Sequence, residues 1–176
     1  MYKTRCLLFV LMFLVPAMVS YAQDVAIQDS SNQVLMDAAV EIMTNAGTCA
    51  FITVDDEGRP RVRAMDPFLP TDELIVWFGS NPLSRKIKQI RNNPRVSLYY
   101  LDSDQTGYVM IHGLATLVDD DKSKVKWWKE KWNDFYPEYP NNYILIKVEP
   151  VWMEVISTRL GVTGDEKTWT PPSIKF

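Results

Sequence analysis

This 176-residue chain contains only two cysteines and one histidine, so few side chains could act through a thiol or an imidazole. Cys6 directly precedes an apolar N-terminal run, and Cys49 lies in a second apolar segment, where a buried core thiol is expected. His112 shares one face of a predicted strand with Met110 and Leu114, a position typical of a packed or interface residue. No catalytic residue is identified from these types.

A basic excess is also missing. The formal net charge is −3 and the pI is about 5.2, which argues against a nucleic-acid partner, since such a partner requires a strong positive surface. The acids Asp119, Asp120 and Asp121 precede a predicted helix, where they suit the positive helix start. A solvated cap is therefore favoured over a metal site, and no metal is predicted.

The N-terminus has the parts of a secretory signal peptide. Two basic residues precede the apolar run 7–19, which is followed by the small residues of Ser20-Tyr21-Ala22. We expect a signal peptide over 1–22, a flexible leader over 23–33, and export to the periplasm or the extracellular space. A membrane anchor is the alternative, but the run is shorter than the ~20 residues that a spanning helix needs. Cleavage would leave a single cysteine, so no internal disulfide could form.

The rest of the chain is predicted to form one domain over 34–158, with a C-terminal tail over 159–176. Apolar spacing predicts a helix over 34–46, Asn81 and Pro82 predict the start of another over 81–92, and a third is predicted over 122–132. Strands are predicted over 48–54, 60–68, 73–78, 96–101, 108–118 and 143–157, the last interrupted near Pro150. Short hairpin links favour an α+β fold with six strands in a mainly antiparallel barrel.

Cationic side chains are placed against their electrostatic preference at two points. Three arginines alternate along one strand and share a face, and an arginine–lysine pair lies in the first turns of a helix, where each cation costs ~0.3–1 kcal/mol. A bound phosphate would form favourable ion pairs with the cations at both points, and two serine hydroxyls would donate further hydrogen bonds to it. A solvated barrel exterior and a purely structural helix start are the alternatives. The residues are Arg59, Arg61, Arg63, Ser80, Ser84, Arg85 and Lys86.

Four short motifs follow one another in an order and spacing that are more specific than any one of them. They are Gly58 to Arg63, Trp77 to Ser80, Ser84 to Lys86, and Asn93 to Leu98. Together they resemble the flavin-binding core of pyridoxamine 5'-phosphate oxidase-like proteins. Tyr108-Val109, Gly113-Leu114-Ala115 and the Trp-rich helix before Phe135-Tyr136-Pro137 resemble the general stress protein branch of that family.

The resemblance implies a split β-barrel that binds FMN between the two subunits of a homodimer. It implies that Arg63 and Lys86 hold the phosphate, while 61–65 and 78–80 flank the ring and the ribityl chain. The cofactor-binding residues expected on this basis are Arg61, Arg63, Ala64, Met65, Phe78, Gly79, Ser80, Ser84, Arg85 and Lys86. The tryptophans at 127, 128 and 132 are expected to pack in the core or cover the barrel, with stacking on the flavin as the alternative.

The chain departs from authentic pyridoxamine phosphate oxidases at its C-terminus. Thr170–Phe176 lacks the Arg-x-His pair that grips their substrate, so vitamin B6 oxidation is not expected. Two functions stay open: an FMN-dependent oxidoreductase that exchanges electrons with a small molecule, and a non-enzymatic flavin-binding stress protein. Haem or a deazaflavin in place of FMN is a third interpretation.

Overall fold

A computed structural model describes residues 31–176 of the chain. The predicted signal peptide, 1–22, and most of the predicted leader, 23–33, lie outside the described residues. One compact unit spans Leu35–Phe176 and contains the predicted barrel domain. Among residues 31–176, no helix has the length and apolar character needed to cross a membrane.

Helices and strands follow one another along the described chain in the order that the sequence patterns predict. The first helix, α1, covers 31–46 and buries Leu35, Ala38, Ile42 and Met43 at the predicted spacing. The other elements are β1 (Cys49–Val54), β2 (Pro60–Met65), β3 (Val76–Ser80), α2 (Arg85–Asn92), β4 (Arg95–Leu101), β5 (Gly107–Val118), α3 (Asp121–Lys126), a short 3-10 helix (Glu130–Trp132), β6 (Ile144–Ser157) and β7 (Ser173–Lys175).

The strands form one antiparallel sheet in the order β2-β1-β4-β5-β6-β3. The two end strands, β2 and β3, face each other, and an isolated bridge between Pro67 and Phe78 joins the chain at one end of them. Helix α2 follows β3 after the four residues 81–84 and packs against β1 and β5. The sheet therefore curls on itself and leaves a seam between β2 and β3, beside the start of α2.

The predicted α+β class and antiparallel sheet are confirmed, with one strand more than the six predicted. Part of the segment 159–176, which was expected to form a tail, pairs with β6 as strand β7, placing Ser173 opposite Glu154 and Lys175 opposite Trp152. Three residues after Pro171-Pro172 are too short a run to show an alternating pattern, so the sequence gives no signal for this strand.

Alternate residues of each strand face the core. Phe51 of β1 meets Phe78 of β3 edge to face, with ring centroids 5.0 Å apart, which joins the two strands across the interior. Cys49 is buried as expected, and burial raises the pKa of its thiol to about 12. Such a thiol stays protonated at neutral pH and is not a nucleophile.

The other side of the sheet, here called the outer face, is largely uncovered by the described chain. The strand register aligns Val62, Ile52, Ser97, His112 and Trp152 in one row across β2, β1, β4, β5 and β6. His112 stacks on Trp152 at 5.0 Å, and its Nδ1 lies 2.8 Å from the Ser97 hydroxyl. The exposed apolar side chains on or beside this face include Val62, Leu101, Leu114 and Val151.

Two helix boundaries differ from the predicted ones. Helix α2 begins at Arg85 rather than at Asn81, because the Asn81 side chain accepts a hydrogen bond from the Leu83 N–H and holds 81–84 as a turn. The predicted helix 122–132 is broken between α3 and the 3-10 helix. The cap interpretation of the acidic run is confirmed at Asp120, whose carboxylate accepts from the Ser123 N–H at 2.9 Å.

Candidate functional site

Predicted phosphate-binding residues converge at the seam, from three separate elements. Arg63 comes from β2, where its register opposite Phe51 places it on the inner side of the sheet. Ser80 is the last residue of β3, and Lys86 lies in the first turn of α2. We call the group formed by Arg63, Ser80, Ser84 and Lys86 the seam cluster.

The Arg63 guanidinium is held in place by two buried polar side chains. Its Nη1 donates to Thr53 Oγ1 at 2.8 Å, and its Nη2 donates to Gln89 Oε1 at 3.2 Å. The Thr53 hydroxyl donates in turn to Gln89 Oε1 at 2.6 Å. The guanidinium is thus oriented from one side, while further N–H groups remain for a ligand.

Lys86 and two serine hydroxyls form a row of neighbouring polar groups in the same region. Its Nζ lies 3.3 Å from Ser84 Oγ, which is itself 3.1 Å from Ser80 Oγ. Burial, and then the nearby charge of Arg63, lower the pKa of Lys86. Burial, followed by the charges of Arg85 and Arg61, likewise lowers the pKa of Arg63. Each shift records an environment that disfavours the cation when no anion is present.

Carboxylates are absent from this group of cations. Across residues 31–176, no acidic side chain forms an ion pair with Arg63, Arg85 or Lys86. Arg85 is exposed in the first turn of α2, where no acidic residue offsets it. Half-buried, unpaired cations at a helix start are the arrangement that a bound anion stabilises.

The three alternating arginines do not act alike. Asp55 accepts from Arg59 Nε at 2.9 Å and from Arg61 Nε at 2.7 Å, which neutralises that end of the row. Hydrogen bonds from both arginines hold the pKa of Asp55 well below its usual range, although burial alone would raise it. Arg61 is therefore already paired with a carboxylate, whereas Arg63 is not paired with any acidic side chain of residues 31–176.

The remaining predicted residues lie around the seam cluster but point elsewhere. Ala64 is exposed on the outer face, in register with Ala50. Met65 is half-buried against the core, and the Phe78 side chain is fully enclosed in it. Gly79 faces the opposite side of β3, where a methyl group would lie 2.5 Å from Tyr143 Cε2.

An aromatic layer covers that opposite side of β3 and includes the three predicted tryptophans. Trp127 stacks on Trp77 with ring centroids 5.0 Å apart, and Trp132 meets Phe68 edge to face at 5.4 Å. The prediction that the tryptophans pack in the core or cover the barrel is confirmed. We call this layer the aromatic cover; it consists of Phe68, Trp77, Trp127, Trp128, Trp132, Tyr136, Tyr139 and Tyr143.

Thr53 and Gln89 are the site residues that sequence reasoning missed. Thr53 is a polar residue on the inward side of β1, after Cys49 and Phe51, and Gln89 is a polar residue between Ile87 and Ile90 on the buried side of α2. A polar side chain at an inward position is the signal that could have found them, because a buried polar group requires a partner.

Comparison with known families identifies the family of this chain. The family model described as "Pyridoxamine 5'-phosphate oxidase" matches residues 35–157, well over half of the chain. The chain belongs to this family. The match begins within α1 and ends with β6, so it includes every element that supplies the seam cluster. None of the curated protein sequences matches this chain.

Solved structures of similar proteins share the fold at low sequence identity. General stress protein 26 from Bacillus anthracis str. Sterne is 24% identical, with a TM-score of 0.63 over 80% of this chain and 98% of that one. A pyridoxamine 5'-phosphate oxidase-related, FMN-binding protein from Nostoc punctiforme PCC 73102 is 18% identical, with a TM-score of 0.58 over 78% and 91%. An F420 reductase is 24% identical, with a TM-score of 0.53 over 64% and 92%. They support the split-barrel fold expected for the family.

Proposed function

We propose that this protein binds FMN, with the phosphate at the seam cluster. The observation that carries the proposal is the pair of half-buried cations, Arg63 and Lys86, without a carboxylate partner among the described residues. A phosphate monoester carries about two negative charges at neutral pH and three acceptor oxygens, which suits two cations and two hydroxyls. The helix start adds positive partial charge on the same side.

Among the anions that could bind at the seam cluster, FMN is the one that the comparisons favour. The family and the FMN-binding neighbour from Nostoc punctiforme both favour a flavin. Arg63, Lys86, Ser84 and Ser80 would hold the phosphate, with exposed Arg85 near its outer side. When bound, the flavin supplies two-electron redox chemistry, and the protein contributes orientation and electrostatics.

An oxidoreductase is the function that this site supports best, with a small-molecule electron donor or acceptor. The competing function is flavin binding without turnover. Adding NADH or NADPH to the FMN-loaded protein under nitrogen and then admitting air separates the two. Bleaching and recovery of the flavin absorbance with continued nicotinamide oxidation supports the enzyme, and an unchanged spectrum supports the non-enzymatic function.

A deazaflavin is a second candidate ligand, because one structural neighbour is an F420 reductase. A flavin, a deazaflavin and a haem have different visible absorption spectra. The spectrum of the protein as purified therefore tests the choice of cofactor before any kinetic work.

A homodimer is part of the proposal, and the outer face is its candidate contact surface. A large contiguous area of exposed apolar side chains on a folded domain marks an interaction site. Leu101, Leu114 and Val151 are each more than 40% exposed on or beside this face. Export is also proposed, on the N-terminal sequence alone, and the N-terminal residue of protein recovered outside the cytoplasm tests it.

A further inference from the structure

A single carboxylate, Asp66, ties the aromatic cover to the strand that carries Arg63. It follows the last residue of β2 directly. Its Oδ1 accepts from Lys129 Nζ at 2.7 Å, and its Oδ2 accepts from Trp132 Nε1 at 3.1 Å. Lys131 Nζ lies 2.8 Å from Oδ2 as well. Three donors from the 3-10 helix region thus converge on one side chain at the end of β2.

The same aromatic cover also packs closely against β3, the strand on the other side of the seam. Gly79 of β3 leaves no room there: an added methyl group would lie 2.5 Å from Tyr143 and 2.6 Å from Trp132. Lys129 also donates to the Pro67 carbonyl, beside the bridge that joins Pro67 to Phe78. The cover therefore contacts Gly79, within 78–80, and through Trp132 it also contacts Asp66, the residue that directly follows 61–65.

We propose that Asp66 is a positioning residue for the flavin ring, which it serves by fixing the aromatic cover to the end of β2 and so holding 61–65 in place against the cover that also packs on Gly79. This inference rests on the proposed FMN binding. Asp66 does not belong to the seam cluster. Its carboxylate accepts hydrogen bonds from Lys129 and Trp132, and neither donor is part of that cluster. Its effect should therefore fall on the ring and not on the phosphate.

Riboflavin separates these two effects because it has the ring and lacks the phosphate. In Asp66→Asn, which keeps the side-chain shape and removes the charge, we expect FMN and riboflavin to bind roughly tenfold more weakly and by the same factor, as loss of charged hydrogen bonds would produce. The FMN-to-riboflavin affinity ratio stays at the wild-type value. The visible circular dichroism of bound FMN, which reports the ring environment, decreases.

Asp119→Asn is the matched control, since Asp119 is exposed and forms an ion pair with Lys124 at 2.6 Å in the same part of the chain. It should leave both affinities and the dichroism unchanged. Lys129→Met is measured in parallel, because it removes one donor while keeping an apolar side chain over Phe68, and it should shift both flavins in the same direction as Asp66→Asn even if the latter folds poorly.

The outcomes are distinct. Folded Asp66→Asn and Lys129→Met variants that bind both flavins as the wild type does would overturn the inference while leaving the proposed function intact. A selective loss of FMN would also overturn it, since the carboxylate would then act on the phosphate. A wild-type protein that binds no flavin would instead remove the proposed function itself.

Discussion

Replacing Arg63 with alanine gives the most informative perturbation of the seam cluster. The guanidinium is half-buried, has no carboxylate partner among the described residues, and is oriented by Thr53 and Gln89. One charge-assisted hydrogen bond is worth ~1.5–3 kcal/mol, so Arg63→Ala should weaken FMN binding about ten- to hundredfold. The Thr53–Gln89 hydrogen bond survives the substitution, and repulsion with Lys86 is relieved, so the Tm should change little.

Quenching of flavin fluorescence during titration measures this effect, with riboflavin as the phosphate-free reference. Arg59→Ala is the control, since Arg59 precedes the same strand but is exposed and paired with Asp55 and Glu57. It should retain wild-type affinity for FMN. The reasoning is wrong if Arg63→Ala weakens riboflavin as much as FMN, or if the arginine variants behave alike.

Three further predictions concern pH, assembly and substrate. FMN affinity should fall as pH rises through the lowered pKa of Lys86, because a bound phosphate favours the protonated amine. Lys86→Arg should shift this loss of affinity to higher pH. FMN titrations between neutral and alkaline pH check both expectations. The protein should be a dimer by light scattering, and Leu114→Asp should yield monomers while Val125→Asp, on exposed α3, should not. The FMN-loaded protein should turn over pyridoxine phosphate no faster than free FMN does, since Thr170–Phe176 contains no Arg-x-His pair that could position the substrate; rapid aldehyde formation would contradict this.

Much of the site was predictable because it depends on short-range patterns. Alternation along β2 places Arg63 on the inner side of the sheet, and the Ser-Arg-Lys run marks the start of α2. These local rules hold even though the boundary of α2 shifted by four residues, from Asn81 to Arg85. The turn at 81–84 still places Ser84 and Lys86 at the seam.

Contacts between distant segments were not predictable in the same way. Asp66 meets Lys129 across 63 positions of sequence, and Arg63 meets Gln89 across 26. A carboxylate after a strand and a lysine before a 3-10 helix are both ordinary surface features in a single sequence. Only the folded sheet shows that the two side chains meet, and that Gly79 lies under the same cover.

The most direct test of phosphate-mediated FMN binding is a pair of titrations on the unmodified protein, one with FMN and one with riboflavin. Two charge-assisted hydrogen bonds, from Arg63 and Lys86, should favour FMN by roughly a hundredfold or more. Raising the salt concentration should reduce this preference, because it screens the phosphate contacts. Equal affinities for FMN and riboflavin would contradict the assignment of the seam cluster as a phosphate site.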